Sequence, residues 1–271
     1  MEIKMKPFDD VATNAIGFDE LKRSIENERC IAVIGAGVSA PDFPLWAPLM
    51  GRLLTACSIR PEDLPLSSVN DLMLQAEHLR LNHRQKYYEV LNDIFTNSSV
   101  SATTQERYHL LVRINFCSYI NLNFDQCLIN TMNLHENIHV SIYPNLSPQF
   151  LQRREIYHLH GQICQDRRAE DGAIVLTKDE FDHAYQPHSR LHSLLNTAFN
   201  DHDICFLGCN PAEPNFNRLL RACKNLQDQV HGLTDFNRPR RFLIWDDESS
   251  LPDLNGTGIH AIDYSRKNAT F

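Results

Sequence analysis

Short apolar runs alternate along this chain with longer stretches whose apolar positions recur at helical spacing. The runs are Cys-Ile-Ala-Val-Ile at 30–34, Cys-Ser-Tyr-Ile-Asn at 117–121, Ile-Tyr-His-Leu-His at 156–160, Asp-Ile-Cys-Phe-Leu at 203–207, Arg-Phe-Leu-Ile-Trp at 241–245 and Gly-Ile-His-Ala-Ile at 258–262. Several are apolar without a polar alternate, as expected of strands covered on both faces. Helical spacing marks 47–57, 69–95, 103–113, 189–199 and 214–229.

Strand and helix in alternation predict an α/β fold: a Rossmann-like parallel sheet with helices on both faces. The helical stretch from about 47 to 113 is too long for one crossover. Part of it, an insertion over about 50–110, is expected to form a small helical subdomain leaning over the carboxyl edge of the sheet. We read 1–271 as one domain. Asn268-Ala269-Thr270-Phe271 follow the last predicted strand closely and without a closing element, as in a piece of a longer chain.

Composition narrows the classes. Acidic residues outnumber basic ones, 34 to 26, for a net charge of −8, which argues against non-specific nucleic-acid binding, since that requires clustered Lys and Arg. No apolar stretch approaches the ~18 residues of a membrane span, and Met1-Glu2-Ile3-Lys4-Met5-Lys6 does not open a signal peptide. The chain therefore reads as cytosolic. Eight scattered cysteines include no C-x-x-C pair, and Cys205 and Cys209 fall on either side of a predicted strand end, so zinc is not expected.

The chemistry gathers where predicted strands end. After 30–34 the chain breaks into Gly35-Ala36-Gly37-Val38-Ser39 and then Pro44-Leu45-Trp46. Such a turn lets backbone approach a pyrophosphate, whose charge suits the N–H groups of a following helix. The full G-x-G-x-x-G pattern is not met, because Ala40 stands where its third glycine belongs. After 117–121 come Asn123 and Asp125, which could equally cap a helix beginning near Gln126. His160-Gly161 and Gly208-Cys209-Asn210 follow two later strands, and each alone could be an ordinary turn. Together they lie where open α/β sheets bind ligands.

In this order the motifs resemble the sirtuin-like NAD-consuming domains, and within them the bacterial branch that serves as effectors in antiphage defence. The resemblance rests on Gly35-Ala36-Gly37-Val38-Ser39 with Pro44-Leu45-Trp46, Leu122-Asn123-Phe124-Asp125, Leu159-His160-Gly161, Leu176-Thr177-Lys178-Asp179-Glu180-Phe181, and Phe206-Leu207-Gly208-Cys209-Asn210 with Glu213-Pro214-Asn215. Leu122 stands for the family's threonine, Asn210 for a serine and Glu213 for an aspartate. The paired zinc cysteines of sirtuin deacetylases are absent.

The resemblance implies an NAD+ hydrolase that cleaves the nicotinamide–ribose bond, with Asn123 and His160 catalytic. Gly35, Ala36, Gly37 and Ser39 would bind pyrophosphate and ribose, Asp125 would fix pocket geometry, and Gly208 and Asn210 would meet the adenosine half. NAD is then a substrate, and no metal is implied. A non-catalytic sensor of NAD or ADP-ribose and an NAD-dependent deacylase are the competing readings. A hydrolase of this kind needs restraint, so a homo-oligomer or a regulatory partner is expected, without nucleic acid or membrane.

Overall fold

A computed structural model describes residues 11–65, 71–135, 138–147, 151, 154–171, 174–211, 217, 220–221, 224, 239–245, 251–252, 254–255 and 257–263. Among the described residues seven parallel strands form one sheet in the order β3-β4-β2-β1-β5-β6-β7. They are β1 (Cys30–Ile34), β2 (Ser118–Asn121), β3 (Val140–Ile142), β4 (Glu155–His158), β5 (Asp203–Leu207), β6 (Arg241–Trp245) and β7 (Ile259–Asp263). Around them lie α1 (Val11–Glu26), α2 (Trp46–Ala56), α3 (Leu72–Asn82), α4 (Arg84–Asn97), α5 (Ala102–Arg113), α6 (Cys127–Asn133), α7 (Lys178–Ala184) and α8 (Arg190–Asp201). The expected Rossmann-like architecture is present, and without the edge strand β3 the order is that of a doubly wound dinucleotide fold.

Each central strand feeds two cores. Ile31, Val33, Ile120, Tyr157, Ile204, Phe206 and Leu243 point to one face, where α7 and α8 pack. Ala32, Ile34, Tyr119, Ile156, Cys205 and Phe242 point to the other, against Leu21 of α1, Tyr108 and Leu111 of α5 and Leu128 of α6. Strict alternation between two apolar faces explains why several of the sequence runs lack a polar alternate. Each Leu, Ile or Phe so buried contributes about 1.5–3 kcal/mol from desolvation.

Helices α2, α3 and α4 share a third core through Leu53, Leu79, Tyr87 and Leu91, closed from below by Phe124, Ile163, Ile174 and Leu176. The helical layer thus sits over segments that leave the carboxyl ends of β2 and β4. α5 covers the sheet, with Tyr108 and Val112 in its core. α1, α7 and β3 were not expected from periodicity: α7 buries only Phe181 and Ala184, and β3 is three residues long at the sheet edge. The helix expected over 214–229 and the tail at 268–271 lie almost wholly outside the described residues.

Candidate active site

The chain runs outward from β1 through β2 to β4, then returns to place β5 on the other side of β1. That reversal opens a crevice between the ends of β1 and β5, the usual ligand position in such sheets. Register completes the row: Ile34 pairs with Asn121 and Leu207, and Asn121 with His158. The residues after these positions begin the Gly35 turn, the Asn123 segment, the His160 segment and the Gly208 turn.

The two glycine turns lock together. Gly35 donates its N–H to the Leu207 carbonyl at 2.9 Å, and Gly37 to the Gly208 carbonyl at 2.8 Å. Gly208 has φ +60, and a Cβ at Gly35 would lie 2.3 Å from the Cys209 Cβ. Backbone passes too close there for any side chain, so the glycines are required by loop-on-loop packing alone. Val38, Ser39 and Ala40 donate to the Gly35 and Ala36 carbonyls, and Arg107 of α5 donates to the carbonyls of Val38 and Ala40.

This corrects the expectation of a helix N-terminus offering free amides. α2 begins only at Trp46, and of the amides from Gly35 to Ala40 all but that of Ala36 are hydrogen-bonded within the fold. Sequence showed the glycines but not what they pack against.

Ser39, Asn123 and Asp125 converge from two strand ends. Asn123 Nδ2 donates to the Gly35 carbonyl at 3.2 Å and to Ser39 Oγ at 3.1 Å. Ser39 donates to Asp125 Oδ2 at 2.8 Å, and its Oγ lies 2.7 Å from the Tyr108 hydroxyl. Ser39 is 0 % exposed, and its one hydrogen goes to Asp125. Asp125 Oδ1 accepts from the Cys127 N–H at 2.9 Å, so this carboxylate both caps the start of α6 and anchors Ser39. Burial raises its pKa above the ordinary aspartate value, and with both oxygens engaged and 1 % exposure it reaches a ligand only through its neighbours. Asn123 Oδ1 is buried and has no hydrogen-bond partner among the described residues. The Gly35 carbonyl can only accept, so Nδ2 must face it and Oδ1 must face away.

Beside this network lies a cavity of about 40 Å³ walled by Ala36, Ser39, Pro44, Trp46, Leu122, Asn123 and Asp125 with the rings of Phe43, Phe95 and Phe124. Its size suits one or two waters. Two larger clefts, about 350 Å³ along α4 and about 280 Å³ at the amino ends of β6 and β7, lie away from the strand ends that gather the candidate residues.

His160 is held in an aromatic box. Its Nε2 lies 2.8 Å from the Tyr185 hydroxyl; its ring meets Phe181 edge-on at 5.0 Å, and Phe181 contacts Trp46 at 5.9 Å. Desolvation pushes its pKa down to about 4, against a weaker opposing contribution from the Leu122 backbone. The ring is neutral at physiological pH, and with Tyr185 as donor Nε2 is an acceptor. Trp46 links the two halves, lining the cavity while touching the box around His160.

Phe181 is placed by a capping box. Thr177 accepts from the Glu180 N–H, and the Glu180 side chain accepts from the Thr177 and Leu176 N–H groups. Asn121 and His158 brace the Asn123 backbone: Asn121 Oδ1 accepts its N–H at 3.1 Å, and His158 Nδ1 lies 3.2 Å from its carbonyl. Sequence reasoning missed Tyr108, Asn121, His158 and Tyr185, which lie inside predicted helices, strands or unassigned loop and carry no motif.

Gly208 lies at the rim, and Asn210 is exposed beyond it. Glu213, Pro214 and Asn215 lie outside the described residues. Among the described residues no group of three or more His, Cys, Asp or Glu side chains could hold a metal ion, and no helix is long and apolar enough to cross a membrane.

A model of the SIR2-like domain matches residues 118–259, more than half of the chain. The chain belongs to the SIR2-like family. The matched span holds Asn123, Asp125, His160, Gly208 and Asn210, whereas the Gly35 to Ser39 turn precedes it. No protein with a curated description matches the chain. Membership implies chemistry that involves NAD, and the doubly wound sheet supplies the crevice for it.

Proposed function

We propose that this SIR2-like protein is an NAD+ glycohydrolase, cleaving NAD+ and water to nicotinamide, ADP-ribose and a proton. The observation that carries the reading is the buried, unpartnered Oδ1 of Asn123 beside a water-sized cavity at the crevice. A buried acceptor without a donor is costly, about 1–3 kcal/mol, and an arriving O–H removes that cost.

Breaking the nicotinamide–ribose bond sends its electron pair to the ring nitrogen, which becomes neutral, while positive charge develops on the ribose. Nicotinamide needs no proton to leave, so orientation and electrostatics matter most. Asn123 Oδ1 accepts one hydrogen of the attacking water and directs a lone pair at the ribose carbon. As the new C–O bond forms the water loses a proton, and neutral His160 accepts it, directly or through a ribose hydroxyl, at Nε2 once the Tyr185 hydroxyl turns its hydrogen away from that nitrogen. Its apolar box disfavours holding that proton, which speeds its onward release to solvent. The Ala36 N–H is the one amide of the turn ready for a phosphate oxygen. The dinucleotide is larger than the present cavity, which is sized for the attacking water.

The agreement of five ordered motifs with the antiphage branch of sirtuin-like effectors supports a role as a toxic NAD-depleting effector acting in the cytoplasm, restrained by self-association or by a regulatory partner.

Purified protein incubated with NAD+ at neutral pH, with nicotinamide followed by chromatography, tests the reading. Wild type should release nicotinamide, and Asn123→Ala and His160→Ala should not. NAD binding without release would support a sensor, and release only with an acylated peptide would support a deacylase.

A further inference from the structure

Tyr108 lies in the middle of α5, 0 % exposed, in the core between that helix and the sheet. Phenylalanine would fill such a place, and a buried hydroxyl is costly there unless bonded. This hydroxyl reaches out of the apolar core to Ser39 Oγ at 2.7 Å and stands 3.4 Å from Asn123 Nδ2.

Counting hydrogens fixes the direction of the network. Ser39 has one, and it goes to Asp125. Its two lone pairs are then left to accept, one from Tyr108 O–H and one from Asn123 N–H. The other hydrogen of Asn123 Nδ2 goes to the Gly35 carbonyl. With both amide hydrogens placed, Oδ1 has a single direction left. Without the Tyr108 donor one lone pair of Ser39 Oγ is unfilled and Ser39 can rotate away from Asn123, which leaves the Gly35 carbonyl alone to hold the amide and lets the Asn123 side chain swing.

We propose that Tyr108 is a positioning residue which, by donating to Ser39, holds the Asn123 side chain with its Oδ1 toward the attacking water. The proposal deepens the glycohydrolase reading and rests on it for its kinetic consequence. Tyr108 touches no reacting atom. Its influence passes through Ser39, which serves as a junction instead of as a ligand to NAD.

The test is Tyr108→Phe beside Ser39→Ala and the double variant. Tyr108→Phe should lower kcat for nicotinamide release about tenfold with KM for NAD+ changed less than twofold. The double variant should lose no more than Ser39→Ala alone, since both substitutions act on one junction. A wild-type kcat in Tyr108→Phe, a raised KM with kcat intact, or losses that multiply in the double variant would each overturn the proposal. If wild type releases no nicotinamide, the glycohydrolase reading fails and the positioning role is read from the amide itself. In protein labelled with 15N in asparagine side chains, the Asn123 signal is the one lost in Asn123→Asp. Its two protons should exchange slowly with solvent in wild type and much faster in Tyr108→Phe, and an unchanged signal would refute the role. Should Tyr108→Phe not fold, the same amide measurement on Ser39→Ala decides.

Discussion

The N–H of Gly37 donates to the carbonyl of Gly208 at 2.8 Å, tying the turn after β1 to the turn after β5 across the point where the sheet reverses direction. This bond and its neighbour from Gly35 to Leu207 set the floor of the crevice. They also spend amides that the glycine motif alone would assign to a ligand.

Alanine at position 208 should therefore be costly. Its Cβ would lie 2.5 Å from the Val38 backbone nitrogen at φ +60, and strain with overpacking should remove about 2 kcal/mol or more of stability in urea unfolding. Gly51→Ala is the contrasting substitution. Gly51 lies within α2 with nothing within 4 Å of an added Cβ, so stability should rise by up to about 1 kcal/mol.

The two buried histidines should make the fold acid-sensitive. Burial lowers both His158 and His160 to about 4 from an ordinary 6.5. Between those values the unfolded chain takes up protons that the folded chain refuses, so stability present above pH 6.5 is lost as pH falls toward 4. From pH 6.5 to pH 5 each histidine accounts for up to about 2 kcal/mol. Denaturation of wild type and His160→Phe at pH 7 and pH 5 should show the smaller acid loss in the variant.

Asp125 should act in the opposite sense. Burial raises its pKa, so its contribution is most favourable below the unfolded aspartate value and falls as pH rises through the folded one. Relative to Asp125→Asn, wild type should gain stability on acidification. The amide cannot accept from both Ser39 and the Cys127 N–H, so nicotinamide release by Asp125→Asn should fall about tenfold or more, the scale of one lost hydrogen bond.

Thr177 tests whether the capping box serves His160. Removing it in Thr177→Ala should cost about 1 kcal/mol in thermal or urea unfolding, with Thr177→Ser retaining most of it. Loosening α7 shifts Phe181, which contacts both His160 and Trp46. A selective fall in kcat beyond the stability change is the expected signature.

Six strands were legible in the sequence to within two residues at either end, because burial on both faces leaves each a short run rich in apolar residues between longer helical stretches. β3 was not: Val140–Ile142 is too short to carry a period. α7 escaped for a related reason, since seven residues with two buried positions make a weak stripe. Asn123, Asp125 and His160 could be singled out because polar residues just after buried strands are conspicuous.

The roles within the site were not legible. Ser39 and Asn123 are far apart in the chain yet share a hydrogen bond, and Tyr108 enters from the interior of a helix with no mark but its place on the apolar face. Periodicity is a local property, set by which side of each element is buried, and it sufficed for the parallel sheet, its covering helices and the edge where chemistry gathers. Which lone pair is free at Asn123, which hydrogen Ser39 spends and which amides remain at the glycine turn depend on partners from different elements. Hydrogen bonds are satisfied one by one in three dimensions, and only the tertiary structure decides those assignments.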